Sequence, residues 1–208
     1  PAKKRLSMRI PTLLVAAVTV FTVTACQASG TTSPQPAEPA TALRLAETNE
    51  YETLNPLEYT FSITSKFYDS LVAVGADGLE PELATEMPVS NTDLTEWTVH
   101  LRDGVTFSDG SAFDSDDVVA AYQAVLDPAT ASPLRGNYEL VNSVRASDSS
   151  TVVFDLATPY AGFPVLLTLG IPAAETVGGS ILDSPLAREP LGTGPYTLTD
   201  WQQGTSMT

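Results

Sequence analysis

The chain is 208 residues long, with 25 acidic and 10 basic side chains, a net charge of −15, one histidine and one cysteine. Such a surface repels nucleic acid and anionic lipid headgroups, so DNA- and RNA-binding functions are excluded. A single cysteine also excludes an internal disulfide and a cysteine-built zinc site.

The basic residues cluster at the start: Lys3, Lys4, Arg5 and Arg9, with no acid before Glu38. The apolar run 10–25 follows, too short to cross a bilayer at roughly 18 to 20 residues per span. A basic start, a short apolar core and small residues at the end are the parts of a secretory signal peptide. Its last residues, Val23-Thr24-Ala25-Cys26, resemble a bacterial lipobox, with Val where Leu is commoner. The resemblance implies a leader over 1–25 and a lipidated Cys26 as the first mature residue. The alternative is a cysteine used as a small apolar residue. Two acyl chains anchor a protein stably without help from a basic patch. Removing the leader leaves 6 basic against 25 acidic residues, a net −19.

Residues 26–42 complete the anchor with a spacer of Ser, Thr, Pro, Ala and Gly, which cannot bury enough apolar surface to order itself. Folding is expected from Leu43. The alternation in "LRLAE" (43–47) predicts a strand. Residues 49–56 read as a loop ending at Asn55-Pro56. Ile63, Phe67, Leu71 and Val74 lie at helical spacing and predict a helix over 62–74. Residues 81–94 read as irregular.

Trp97, Val99 and Leu101 alternate with Thr98, His100 and Arg102, the pattern of a half-buried strand. Asp103-Gly104 and Asp109-Gly110 are tight-turn pairs. A helix is predicted over 114–127, with Asp114 as its cap, Asp116 and Asp117 at its positive end, and Val118, Tyr122 and Val125 on its buried side. After a Pro-containing break, arms near 141–147 and 150–156 predict a hairpin. An apolar segment containing Pro164 follows, and "PYTLTDWQ" (195–202) alternates again as a strand. The sum is a mixed α/β (α+β) body over 43–208 with antiparallel hairpins in its middle, and no internal repeat.

Catalytic chemistry finds little to work with. His100 falls on the outward face of a strand, and no Gly-x-Ser-x-Gly elbow accompanies it. The carboxylates of 107–117 fail the EF-hand register, since counting from Asp109 puts Ser111 at loop position 3, Phe113 at position 5 and Asp114 where Gly is needed at position 6. "GTGPY" (192–196) lacks the third glycine of a dinucleotide loop and leads into a strand, so it reads as a turn. No metal or cofactor is expected.

Several segments in order, "YETLNP" (51–56), "DGLEPELA" (77–84), "WTVHLRDGVTFSDGSAFDSDDVVAAYQAVLD" (97–127), "VRASDSSTVVFDLATPYAGFPVLL" (144–167) and "EPLGTGPYTLTDWQQG" (189–204), resemble the family 5 extracytoplasmic solute-binding proteins of bacterial ABC importers. That is the oligopeptide-, dipeptide- and nickel-binding group. The resemblance implies the first lobe of a two-lobed, Venus-flytrap (type II periplasmic-binding-protein-like) fold, with the second lobe outside this N-terminal stretch. Lobe I would start over 43–60, carry an inserted subdomain over 61–185, and be re-entered over 186–208.

It further implies capture of a peptide or other small solute outside the cytoplasmic membrane and delivery to ABC permease and ATPase subunits, without chemistry on the solute. Tyr51 and Thr53, after the first strand, are the residues it points to for ligand contact; a solvated loop is the alternative. Trp97 and Trp201 are expected in the core. Competing functions are a binding protein for a non-peptide solute such as nickel, and a secreted lipoprotein hydrolase whose catalytic residues lie beyond residue 208.

Overall fold

The computed structural model describes residues 46, 50–59 and 62–208. Cys26, the leader and spacer, and the strand expected over 43–47, apart from Ala46, lie outside the described residues. The architecture below belongs to the second of two units, Glu47–Thr208.

Among the described residues the first strands make a short hairpin, β1 (Val72–Gly75) with β2 (Gly78–Pro81). Four strands then form an antiparallel sheet in the order β3-β4-β6-β5: β3 (Val89–Ser90), β4 (Glu96–His100), β5 (Val141–Asp148) and β6 (Thr151–Leu156). Trp97 sits opposite Phe154, which sits opposite Val144, so one pleat row carries all three to the same face. The opposite face is polar, and there Arg145 reaches Glu96 at 3.3 Å and Asp155 at 3.6 Å. These half-exposed pairs contribute at most about 1 kcal/mol each.

The single α-helix among the described residues, α1 (Ser115–Leu126), covers the apolar face. Asp114 caps it as expected. Its carboxylate accepts from the Asp116 amide at 2.8 Å, while Asp117 reaches back to the Asp114 amide at 2.9 Å in a capping box. Val118, Tyr122 and Val125 are wholly buried. The Tyr122 ring meets Phe154 edge-on at 4.9 Å, Phe163 stands 5.3 Å from Phe154, and Trp97 closes the chain of rings at 5.7 Å from Phe163. The Tyr122 hydroxyl donates to the Leu166 carbonyl at 3.2 Å. The chain ends in a small hairpin, β7 (Trp201–Gln202) with β8 (Ser206–Met207).

Two expectations are corrected. Residues 62–74 form no α-helix; only Thr64–Lys66 make a 3-10 turn, and Val74 points into solvent on β1 at 76% exposure. The backbone there is used sideways. The Lys66 and Phe67 carbonyls accept from Tyr196 and Gly194, the Asp69 carbonyl accepts from Ile171, and Ser70 bridges Gly170. A helix would have consumed those carbonyls internally. The strand expected over 195–202 shrinks to Trp201–Gln202, because Thr199 and Asp200 turn their amides onto the Thr208 carbonyl instead of a neighbouring strand.

Candidate functional site

The loop singled out by its sequence is a stitched segment. The Thr53 hydroxyl accepts from the Asn55 amide at 3.0 Å, and the Asn55 side chain accepts from Leu57 at 3.0 Å and donates to the Ile181 carbonyl at 3.1 Å. These are the local turns that short hydroxyl and amide side chains make with their own backbone. Leu54 is wholly buried against Phe67 and Tyr68, and its amide donates to the Ala187 carbonyl at 3.0 Å. At the other end, Glu50 accepts from the Gly204 amide at 2.8 Å. The segment thus ties the 185–188 turn to the β7–β8 hairpin.

Tyr51 and Thr53 face inward, each 4% exposed, while Glu50 and Glu52 face outward. The fully solvated loop holds only for those two glutamates.

The GTGPY turn is a packing device. Gly194 donates to the Phe67 carbonyl at 2.9 Å, the Gly192 carbonyl accepts from Ser108 at 3.0 Å, and the Thr193 hydroxyl donates to Asp69 at 2.9 Å. A Cβ on Gly192 would lie 2.2 Å from the Phe67 oxygen, and one on Gly194 would lie 2.5 Å from the Phe67 carbonyl carbon. The close approach needs glycine at both positions. The Gly194 amide, already bonded to protein, does not point at a phosphate.

Beside this junction lies an open cleft of about 610 Å³, walled by Leu186, Arg188 and Glu189 on one side and Leu198, Asp200 and Trp201 on the other. The Arg188 guanidinium stacks 4.0 Å from the centre of the Trp201 ring and donates to the Gln203 side chain at 3.2 Å. Trp201 is only half-buried, one part packing on the Leu54 cluster. Trp97 is a core residue, as expected; Trp201 belongs to the core and the cleft together. Nothing in the local sequence signals that Arg188 meets Trp201, since the pairing depends on how two loops return across the Leu54 segment.

His100 is exposed, 3.5 Å from the Thr151 hydroxyl. Asp109 accepts from the amide and hydroxyl of Ser111 at 2.9 and 2.6 Å, and those bonds hold its carboxyl below the usual carboxylate range. Asp117 does more than its sequence position suggests. Besides closing the capping box it accepts from the Ala174 amide at 2.8 Å, joining α1 to the segment after the apolar stretch. Burial pushes its carboxyl up, against the lowering effect of the two amides. Among the described residues, no three His, Cys, Asp or Glu side chains gather to hold a metal ion.

The description "Bacterial extracellular solute-binding proteins, family 5 Middle" matches residues 78–208. The chain is 34% identical to Protein XP55 of Streptomyces lividans, over 98% of its own length and 39% of that protein's. It is 29% identical to the glutathione-binding protein GsiB of Escherichia coli, over 74% of its length and 31% of that protein's. The chain therefore spans about a third of the length of the relatives it matches.

Among solved structures it resembles NikZ of Campylobacter jejuni in complex with Ni(L-His), at TM-score 0.70 and 27% identity, over 74% of this chain and 32% of that one. It also resembles the periplasmic binding protein DppA of Helicobacter pylori in complex with peptide STSA, at TM-score 0.64 and 26% identity, over 76% and 36%. These are two-lobed proteins, and the described body is part of one lobe of that mixed α/β fold. The chain belongs to the family 5 bacterial extracellular solute-binding proteins.

Proposed function

We propose that this chain is the first-lobe portion of a lipid-anchored substrate-binding protein that captures di- and oligopeptides and passes them to an ABC permease driven by its ATPase subunits. The observation that carries the reading is the family match across 78–208, joined to a fold shared with a protein holding a tetrapeptide. Ligands of two-lobed proteins are trapped by closure of one lobe on the other, which shifts a population of states and requires no reacting group.

In this reading the leader is 1–25, Cys26 carries the lipid, and 26–42 is the tether. Lobe I starts over 43–60, is interrupted by 61–185 and is re-entered over 186–208. The Leu54 bond to Ala187 and the Glu50 bond to Gly204 support the joining of first and last parts, while Asn55 ties the first part to the insert at Ile181. Thr53 stitches the loop through the Asn55 amide and Tyr51 is buried beside it, so the solute contact proposed for both requires the loop to open.

The test is calorimetric titration of the protein expressed from its whole reading frame with a mixed di- to pentapeptide pool, with nickel and nickel–histidine as separate arms. Saturable binding of peptides recovered intact supports the proposal. Binding of nickel alone would favour a non-peptide solute, and peptide cleavage would favour a hydrolase.

A further inference from the structure

Three aspartate–glycine pairs occur in the chain, Asp77-Gly78, Asp103-Gly104 and Asp109-Gly110, and each lies at a turn. In such a pair the glycine nitrogen can reach the carbon of the preceding carboxyl group, because no Cβ holds the backbone away. The reaction needs a carboxyl that is free to turn and an amide that is not engaged elsewhere. The fold treats the three pairs differently.

At Asp109 both groups are engaged. The carboxylate accepts from the Ser111 amide at 2.9 Å and the Ser111 hydroxyl at 2.6 Å, and the Gly110 amide donates to the Phe107 carbonyl at 3.0 Å. The Ser111 bonds also hold the carboxyl below the usual carboxylate range, which thins the neutral form that can lose water. At Asp77 the glycine is held. Gly78 is the first residue of β2 and stands opposite Gly75, where the β1–β2 hairpin closes.

Asp103-Gly104 has neither restraint. Both residues are exposed, the Asp103 carboxylate has no hydrogen-bond or ion-pair partner among the described residues, and the Gly104 amide donates to no acceptor among them. Gly104 has a φ of +73°, and nothing lies within 4 Å of the position a Cβ would take, so the pair has room to turn. The flanks, by contrast, are anchored. The Arg102 amide donates to the Leu83 carbonyl at 2.9 Å and its Nε to the Glu82 and Ala84 carbonyls, while the Val105 carbonyl accepts from Phe113 at 3.1 Å. The turn is a loose link between two fixed points, and the segments that fix it all lie within the described residues.

We infer that Asp103-Gly104 is a site of spontaneous isoaspartate formation in the folded protein. The Gly104 nitrogen bonds to the Asp103 Cγ; its proton and the carboxyl hydroxyl leave together as water, giving a five-membered imide. Water then adds to the imide. Breaking the bond from nitrogen to Cγ restores aspartate. Breaking the bond from nitrogen to the Asp103 main-chain carbonyl carbon routes the backbone through the side chain and leaves that carbon as a free carboxylate. The product keeps the original mass and charge, with a backbone one carbon longer, and the bonds of Arg102 and Phe113 confine the change to the turn. Water is the only co-reactant, and the site is independent of the solute the protein binds.

The protein from its whole reading frame is kept folded in warm, near-neutral buffer for several weeks, then digested, and its peptides are separated and fragmented to place isoaspartate at each pair. A parallel sample is held unfolded in urea, where the three pairs share the same glycine neighbour and react at comparable rates. In the folded sample Asp103 is expected to convert about tenfold or more faster than Asp109, where three hydrogen bonds must first be given up. It should also run ahead of Asp77. Asp103→Asn should react faster still, since an amide releases ammonia more readily than a carboxylate releases its oxygen. Asp103→Glu, which would have to close a six-membered ring, should stay unchanged. Should either variant lose its native melt, the ranking of the three pairs in the unaltered protein decides. Isoaspartate that appears first at Asp77 or Asp109, at equal rates at all three, or at none of them overturns the inference. Conversion of Asp103 in urea but not in the folded protein overturns it as well.

Discussion

Replacing Gly192 by Ala sets two effects of opposite sign against each other. Alanine restricts the unfolded chain and, where the native backbone accepts it, stabilises by about 0.4 to 1 kcal/mol. At Gly192 the new Cβ would stand 2.2 Å from the Phe67 carbonyl oxygen, where ordinary contact begins at 3.4 Å. The obstacle is backbone, not the end of a flexible side chain, so roughly 1 Å of movement is unavoidable, and overpacking of that kind costs about 1 to 3 kcal/mol. The same oxygen accepts from Gly194 and the Gly192 carbonyl accepts from Ser108, so separating the segments of this seam endangers two bonds worth about 1 kcal/mol each. The net is a loss of about 2 to 4 kcal/mol. Gly136 provides the control: nothing lies within 4 Å of its Cβ position, so Gly136→Ala should be neutral or stabilising by up to about 1 kcal/mol. Urea denaturation of both variants, followed by circular dichroism, measures the difference. A Gly192→Ala protein as stable as the Gly136→Ala protein would refute the claim that GTGPY is a steric seam.

Three other predictions bear on the fold and the anchor. Asp114→Ala should cost about 1 kcal/mol as a lost cap, and Asp117→Ala about 2 to 4 kcal/mol because it leaves the Asp114 and Ala174 amides without acceptors; equal costs would contradict the bridging role of Asp117. Burial pushes the Tyr138 hydroxyl up to about 12, and burial together with nearby Tyr138 raises Tyr122 well above the usual value. Both shifts are upward, so the stability they represent is complete below about pH 10 and is lost as pH rises through 12. Phenolate absorbance and unfolding should therefore rise together in that window, with Tyr138→Phe flattening the loss; free titration of all tyrosines at pH 10 in a native protein would contradict this. Cys26→Ser should move the protein from the membrane fraction to the soluble fraction in its native host, whereas an unchanged distribution would remove the proposed lipid anchor.

The middle of the fold was readable because each element there obeys one simple rule. The alternation of Trp97, Val99 and Leu101 selects a strand, Asp114 before Val118 and Tyr122 selects a capped helix, and two aspartate–glycine pairs mark turns; the structure agrees at each. Residues 62–74 misled because Ile63, Phe67 and Leu71 fit a helical stripe, yet the backbone of this stretch, at Phe67 and Ser70, is claimed by Gly194 and Gly170, a hundred or more residues away. No local pattern encodes such a claim. Tyr51 and Thr53 were legible as members of a family loop, but their inward orientation follows from Asn55 and Leu54 bonding to Ile181 and Ala187. Arg188 was invisible for a related reason: its partner Trp201 is brought to it by tertiary structure.

The decisive property is solute capture without chemistry. Calorimetry of the protein from its whole reading frame with a defined set of unblocked di- and tripeptides, followed by mass spectrometry of the released ligand, tests that most directly. Saturable one-to-one binding with every peptide recovered at its original mass is the predicted outcome. No heat with any member of the set, or peptides returned as cleaved products, would contradict it.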